Sequence, residues 1–238
     1  MQMRKRLLYF FLLTISCGPK NDSNQSSIIT DSITSEVDSA ISSQKIDNFP
    51  TGNFEQLVET YEDPNRRNWQ NPDLVLNMLG DLNQKTVADI GSGTGYFAIR
   101  IAQFANKVIA IDIDERFLEY IEERKLEIAD SIAARIVTRL TNEDNPSLLA
   151  NEVDVALLVN TYPFIDNRPS YFSKVKNGLR NKGKLVILDY KKGNIPVGPP
   201  NEIKISPEEV FAELRLAGFK EFSIDEKSLE YQYIIIAQ

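Results

Sequence analysis

An α/β fold built on a doubly wound, mostly parallel sheet is what the sequence predicts, and three observations predict it. The run from Val87 to Phe97, VADIGSGTGYF, reads as a buried strand, a glycine-rich turn and the start of a helix. A second apolar run, KVIAID, ends on Asp112, about 20 residues past the loop, the spacing of a nucleoside-binding half-sheet. Further strand-like runs alternate with helical patterns as far as Tyr190, and two short strands close the chain.

Each element has a local reason. Asn71 and Pro72 supply an N-cap and a first helical position, and Leu74, Val75, Met78 and Leu79 form an apolar stripe that Gly80 stops. Thr86 to Ile90 is the first strand. Asp114 caps a helix that turns Phe117, Leu118, Ile121 and Ile128 inward and Glu119, Glu122, Glu123 and Arg124 to water. Ala134 to Leu140 reads as the third strand, followed by the polar cluster Thr141 to Asn145. Val153 to Val159 is apolar but for Asp154, as a strand covered on both faces should largely be, and ends in Asn160, Thr161, Tyr162 and Pro163. Tyr171 to Leu179 reads as a helix, Lys184 to Tyr190 as the fifth strand, and Pro207 to Ala217 as a helix stopped at Gly218. Phe219 to Ile224 and Tyr231 to Ala237 are near enough to pair as a hairpin.

The loop chemistry points to a ligand. Gly91, Gly93 and Gly95, with Ser92 between them, can take positive φ and let backbone N–H groups come close to a bound group. A dinucleotide loop has the spacing G-x-G-x-x-G, and here the third glycine arrives one residue early. Asp89 would repel a pyrophosphate and attract a cationic group, which favours S-adenosylmethionine. Asp112 is placed to accept from ribose hydroxyls, and Ile113 offers adenine an apolar face. A glycine turn is also an ordinary way to join strand to helix; the two acids set this one apart.

With VADIGSGTGYF, VIAIDID, EVDVALLVNTYPF, KLVILDY, EFSIDEKS and YQYIIIA in place, the chain resembles the class I S-adenosylmethionine-dependent methyltransferases over roughly residues 55 to 238. The lead-in R-x-x-W-Q-x-P, carried by Arg66 or Arg67 with Trp69, Gln70 and Pro72, is similar to that of stand-alone bacterial members. The resemblance implies a Rossmann-like, seven-stranded sheet with an antiparallel last strand, S-adenosylmethionine as cofactor, and a methyl acceptor of small-molecule type. It also implies that Glu143, or else Asp144, bonds the adenine amino group and that Asn160 lies at the cofactor; ordinary loop polarity is the alternative for the two acids. Trp69 either closes over the cofactor or pins the lead-in to the core. Histidines usual in that group after the fourth strand and after the fifth are replaced by Pro163 and Ile203. Tyr162, Asp166, Asp189 and Tyr190 remain as polar catalytic candidates. The segment after the fourth strand does not match the D/N-P-P-Y/F box of amino-group methyltransferases.

Composition narrows the classes. The 238 residues, 42% hydrophobic, suffice for one ordinary core. A net charge of −7 disfavours a phosphate backbone as partner. The chain has no histidine and one cysteine, which excludes histidine ligands, an internal disulfide and a thiolate cluster. MQMRKR and Leu7 to Ile15 read as a secretory leader, and LLTISCG resembles a lipobox with Cys17 as the lipidated residue, although Thr14 stands where leucine is usual. The expected organisation is therefore a signal peptide over residues 1–17, a Ser/Asn/Asp-rich tether over 18–50 and a methyltransferase domain over 51–238. That implies a bacterial cell envelope location, lipid-anchored through Cys17, or a cytoplasmic one if the leader is not used. The missing histidines and the leader leave a second expectation: a catalytically degenerate, membrane-tethered module that binds S-adenosylmethionine or a nucleoside without turnover.

Overall fold

The computed structural model describes residues 53–238. The leader, Cys17 and the tether lie outside the described residues. Two lead-in helices, α1 (Phe54–Tyr61) and α2 (Arg66–Gln70), precede α3 (Pro72–Leu79), and then strands and helices alternate. They run β1 (Thr86–Ile90), α4 (Tyr96–Ile101), β2 (Lys107–Asp112), α5 (Glu115–Lys125), α6 (Asp130–Ala133), β3 (Ile136–Leu140) and β4 (Val153–Val159). After a 3₁₀ turn at Tyr162–Phe164 come α7 (Arg168–Gly178), β5 (Leu179–Tyr190), α8 (Pro207–Leu216), β6 (Phe222–Asp225) and β7 (Gln232–Ala237).

The seven strands form one sheet in the order β3-β2-β1-β4-β5-β7-β6. Pairings among β1 to β5 are parallel, whereas β7 runs antiparallel to both β5 and β6. The strand order reverses between β1 and β4, and open α/β sheets bind ligands beyond the strand ends at such a reversal. Alternate residues of each strand feed two apolar layers. One packs a face of β1, β2, β4, β5 and β7 against α3, α4 and α5; the other packs the opposite face of the same strands against α7 and α8. Covering on both faces explains why β1, β2 and β4 are mostly apolar, with Asp89 in β1 and Asp154 in β4 as the interior exceptions.

Several boundaries differ from the sequence reading. β3 begins at Ile136 because residues 130–133 form the short α6. α7 begins three residues early, behind Asn167 in a left-handed conformation and with Pro169 in its first turn. β5 extends back to Leu179 through Lys182, which has φ of 62°, and its register on β4 shifts between Val153 and Val155. Arg124, expected to face water, turns to Glu62 of the lead-in at 2.8 Å. The lead-in helix α1 was not anticipated, and it lies on the site.

Candidate functional site

The loop between β1 and α4 has the expected backbone and an unexpected set of partners. Gly91, Gly93 and Gly95 take φ of 70°, 50° and 77°. Their N–H groups are spent within the protein: Gly91 and Ser92 donate to the Ile111 carbonyl at 2.8 and 3.0 Å, and Gly95 donates to the Ser92 carbonyl. Gly93 donates to Asp112 Oδ2 at 2.8 Å. The loop is thus stitched to the end of β2, and the glycines make room for protein atoms. A Cβ on Gly91 would collide with Thr161, one on Gly93 would lie 3.3 Å from the Tyr61 ring, and one on Gly95 would lie 2.8 Å from Ile121.

Asp112 is the hub of this arrangement. Its Oδ1 accepts from the N–H groups of Ile113 and Asp114 at 2.8 and 3.0 Å, beside the Gly93 bond to Oδ2. A carboxylate has about four acceptor positions, so one remains, on Oδ2. Burial raises the Asp112 pKa, and the three backbone donors oppose that rise. A cavity of about 50 Å³ opens beside it, lined by Gly91, Asp112, Ile113, Glu143, Thr161 and Phe164 among others. That is well below the roughly 300 Å³ at which small-molecule pockets begin, so a nucleoside enters only as side chains yield. Glu143 lines the cavity; Asp144 does not, and its carbonyl accepts from Lys174. A larger open hollow of about 470 Å³, bounded by Asp73, Leu76, Gly80 and Phe104, lies at the opposite, N-terminal ends of β1 and β2, away from these groups.

Asp89 is buried in mid-sheet, and its Oδ2 and the Ser92 hydroxyl have no hydrogen-bond partner among the described residues. Burial raises the Asp89 pKa to about 7; the Arg66 charge and the Ala98 N–H pull it down, and Asp112 pushes it up. A cation of the protein itself therefore stands in the field of Asp89. The Arg66 guanidinium lies 4.1 Å from the centre of the Tyr96 ring and donates to the Tyr61 carbonyl at 2.6 Å. Tyr61 in turn stacks on Phe117 at 5.5 Å, and Glu62 accepts from Thr94 and Arg124 at 2.5 and 2.8 Å. These contacts lay the lead-in over the loop. Sequence reasoning missed Tyr61, Glu62 and Thr161, whose roles arise only from packing.

The catalytic candidates separate. Tyr162 is fully buried, stacks on Phe172 and donates to Glu213 at 2.5 Å, with Arg168 bound to the same carboxylate through two nitrogens. That hydroxyl is committed to α8. Asp166 is exposed on the turn before α7. Tyr190 lies at the end of β5 with the half-buried Trp69 ring 5.8 Å away, so Trp69 packs on the sheet end. Asn160, one residue past β4, has φ of 57° and contacts Tyr190 through its amide at 3.4 Å.

Asp189 is buried beside them; its Oδ1 accepts from the Tyr190 N–H at 2.8 Å and its Oδ2 has no partner among the described residues. Burial pushes its pKa from 3.8 to about 7 against the N–H groups of Tyr190 and Tyr162. Asp89 and Asp189 therefore take up protons on folding between pH 3.8 and 7. Their burial is best tolerated below that window and weakens the fold as pH rises through it. Asp189→Asn is expected to stabilise the protein by on the order of 2 kcal/mol above pH 7 and by least below pH 4, as read from urea melts across pH. An effect that is flat with pH would contradict this account.

With that geometry in view, known proteins are informative. Residues 88–187 match the family model of a methyltransferase domain. An S-adenosylmethionine-dependent methyltransferase from Aquifex aeolicus is 24% identical, superposes with a TM-score of 0.71, and is covered over 98% of its length by 78% of this chain. A putative type 11 methyltransferase from Sulfolobus solfataricus is 22% identical with a TM-score of 0.58, over 71% of this chain and 92% of that one. A putative O-methyltransferase from Nostoc punctiforme is 18% identical with a TM-score of 0.63, over 89% and 69%. No curated protein matches the chain. The fold is the Rossmann-like fold of class I methyltransferases, with the antiparallel last strand. S-adenosylmethionine is the cofactor that this domain implies. The residues present fit it: a free acceptor position on Asp112, an apolar wall at Ile113 and Phe164, and a carboxylate at the cavity rim in Glu143.

Proposed function

We propose that residues 51–238 form an S-adenosylmethionine-dependent methyltransferase that acts on a small-molecule acceptor. The observation that carries this reading is the 2.8 Å bond from Gly93 to Asp112, which draws the glycine loop and the second acid into one cradle at the β1/β4 reversal. When bound, the cofactor supplies a methyl group activated by a sulfonium. Asp112 would accept a ribose hydroxyl, Ile113 and Phe164 would flank adenine, and Glu143 would face its amino edge. Arg66 already answers Asp89, whose pKa burial raises to about 7, so the acid offered to a cationic ligand is Asp112. Methyl transfer needs alignment in a dry site more than it needs a covalent residue, and the lead-in helices exclude water from the loop side. Calorimetry with the purified chain is expected to give a dissociation constant on the order of micromolar for S-adenosylmethionine. No heat of binding would remove the proposal.

A second reading, a nucleoside-binding module without turnover, is supported by the lack of histidine and by the leader. Transfer of labelled methyl from the cofactor to any component of a cell-envelope extract would eliminate it. We also propose, from the leader alone, that the chain is lipid-anchored in a bacterial envelope through Cys17. Mass spectrometry of the mature N-terminus tests this, and an unmodified Met1 would refute it.

A further inference from the structure

Five polar side chains form an unbroken series of hydrogen bonds from the lead-in to the sheet end. Arg66 Nε donates to Gln70 Oε1 at 2.5 Å, and Gln70 Nε2 donates to Gln232 Oε1 at 3.3 Å. Gln232 Nε2 donates to Asn160 Oδ1 at 2.6 Å, and Asn160 Nδ2 reaches the Tyr190 oxygen at 3.4 Å. Gln70 and Gln232 are completely buried. An amide can be turned either way in such a series, but a guanidinium has donors alone. Gln70 must therefore show its oxygen to Arg66 and its NH₂ to Gln232, and each later link inherits that sense. The far end is consequently rich in donors: Asn160 keeps a second amide hydrogen, and Tyr190, which accepts from Asn160, keeps its phenolic hydrogen to give.

This end lies past the C-terminal ends of β4 and β5, beside the glycine loop, with the Tyr190 side chain buried. Asn160 opens the segment at the β4 end, in a left-handed backbone that asparagine adopts more readily than most side chains. Its neighbour Thr161 packs on Gly91, and the Trp69 and Tyr190 rings, inclined at 34°, form an aromatic wall. Burial raises the Tyr190 pKa, the Arg66 cation lowers it, and Asp189 and Tyr61 push it up.

We propose that Asn160 and Tyr190 hold the methyl acceptor and that its reacting atom is a deprotonated oxygen, a carboxylate or phenolate on a planar ring, with Gln70 and Gln232 as positioning residues. This rests on the methyltransferase reading of the loop. In the transfer an oxygen–methyl bond forms as the sulfur–methyl bond breaks, and that bond's electron pair leaves on sulfur. The oxygen's negative charge cancels the sulfonium charge, so no proton has to move. A chain without histidine needs no base for such an acceptor, whereas an amine would set its own N–H groups against the Asn160 and Tyr190 donors.

Trp69, the sole tryptophan, is a built-in reporter. Its emission is followed while the purified chain is titrated with benzoate and, separately, with benzylamine, each with and without S-adenosylhomocysteine. Benzoate is expected to give a saturable change and benzylamine none at equal concentration. Gln70→Glu keeps an acceptor toward Arg66 but faces Gln232 with oxygen, reversing every later link. It is expected to weaken benzoate at least about tenfold, the effect of losing one hydrogen bond to a charged group, while S-adenosylhomocysteine affinity stays within about twofold. No benzoate response, benzylamine binding as tight as benzoate, or a Gln70→Glu chain with unchanged benzoate affinity would each overturn the proposal. Should that variant fail to fold, the benzoate and benzylamine comparison in the parent chain decides. Benzoate binding without S-adenosylhomocysteine binding would remove the methyltransferase reading instead.

Discussion

Gly91→Ala is expected to destabilise the protein by roughly 3 kcal/mol, and Thr161→Ala in the same chain to restore about half of that loss. Two costs add at this position. The backbone holds φ at 70°, which an alanine adopts at a cost of about 1–2 kcal/mol. The new methyl would also fall 2.5 Å from Thr161 Cγ2 and closer still to its hydroxyl, inside a layer where β1 and β4 leave no slack. Removing the threonine branch relieves the collision and leaves the backbone cost. A double-mutant cycle in urea separates the two. If Gly91→Ala alone melts with the parent chain, the close approach of the two loops is wrong.

Asp112→Asn is expected to lower S-adenosylmethionine affinity by about 100-fold, read by calorimetry, and to lower the melting temperature by several degrees. The amide can keep one oxygen toward Ile113 and Asp114, but its NH₂ then faces the Gly93 N–H, donor against donor. The loop loses its tie to β2, and the acceptor position left for a ribose hydroxyl becomes a donor. Losing a hydrogen bond to a charged group accounts for about 1.5–3 kcal/mol, and release of the loop adds to it. Unchanged affinity in this variant would show that Asp112 holds the loop and nothing else.

The sheet was legible because its cause is local. A strand buried on both faces is mostly apolar, a helix start needs a cap, and a tight turn needs residues without side chains; VADIGSGTGYF and KVIAID state these within a few positions, with Asp89 as the exception. The β6–β7 pairing was legible for the same reason, whereas its place at the sheet edge came from the tertiary structure. Boundaries moved where a neighbour rather than the local run decided them, as with the long β5, which gains its first residues by pairing Leu179 with Val153.

The site was legible only in part. Asp89, Gly91, Gly93, Gly95 and Asp112 could be named because their chemical types are unusual at those spacings. Their mutual bonds were not foreseeable. The loop amides that looked free for a ligand are spent on Ile111 and Asp112, and the room left by each glycine is taken by Thr161, Tyr61 or Ile121. Gln232 did carry a signal, a lone amide inside YQYIIIA, but nothing local connects it with Gln70, 162 residues away.

The order of elements, the glycine turn and the two acids belonged to the sequence, because steric freedom and burial act on residues a few positions apart. Which hydroxyl, ring or amide meets which belonged to the tertiary structure, because hydrogen bonds are satisfied between strands and helices that only packing brings together. The direction of the series from Arg66 to Tyr190 is the clearest instance: each of its residues is ordinary alone, and a donor-only cation at one end sets the polarity of the other.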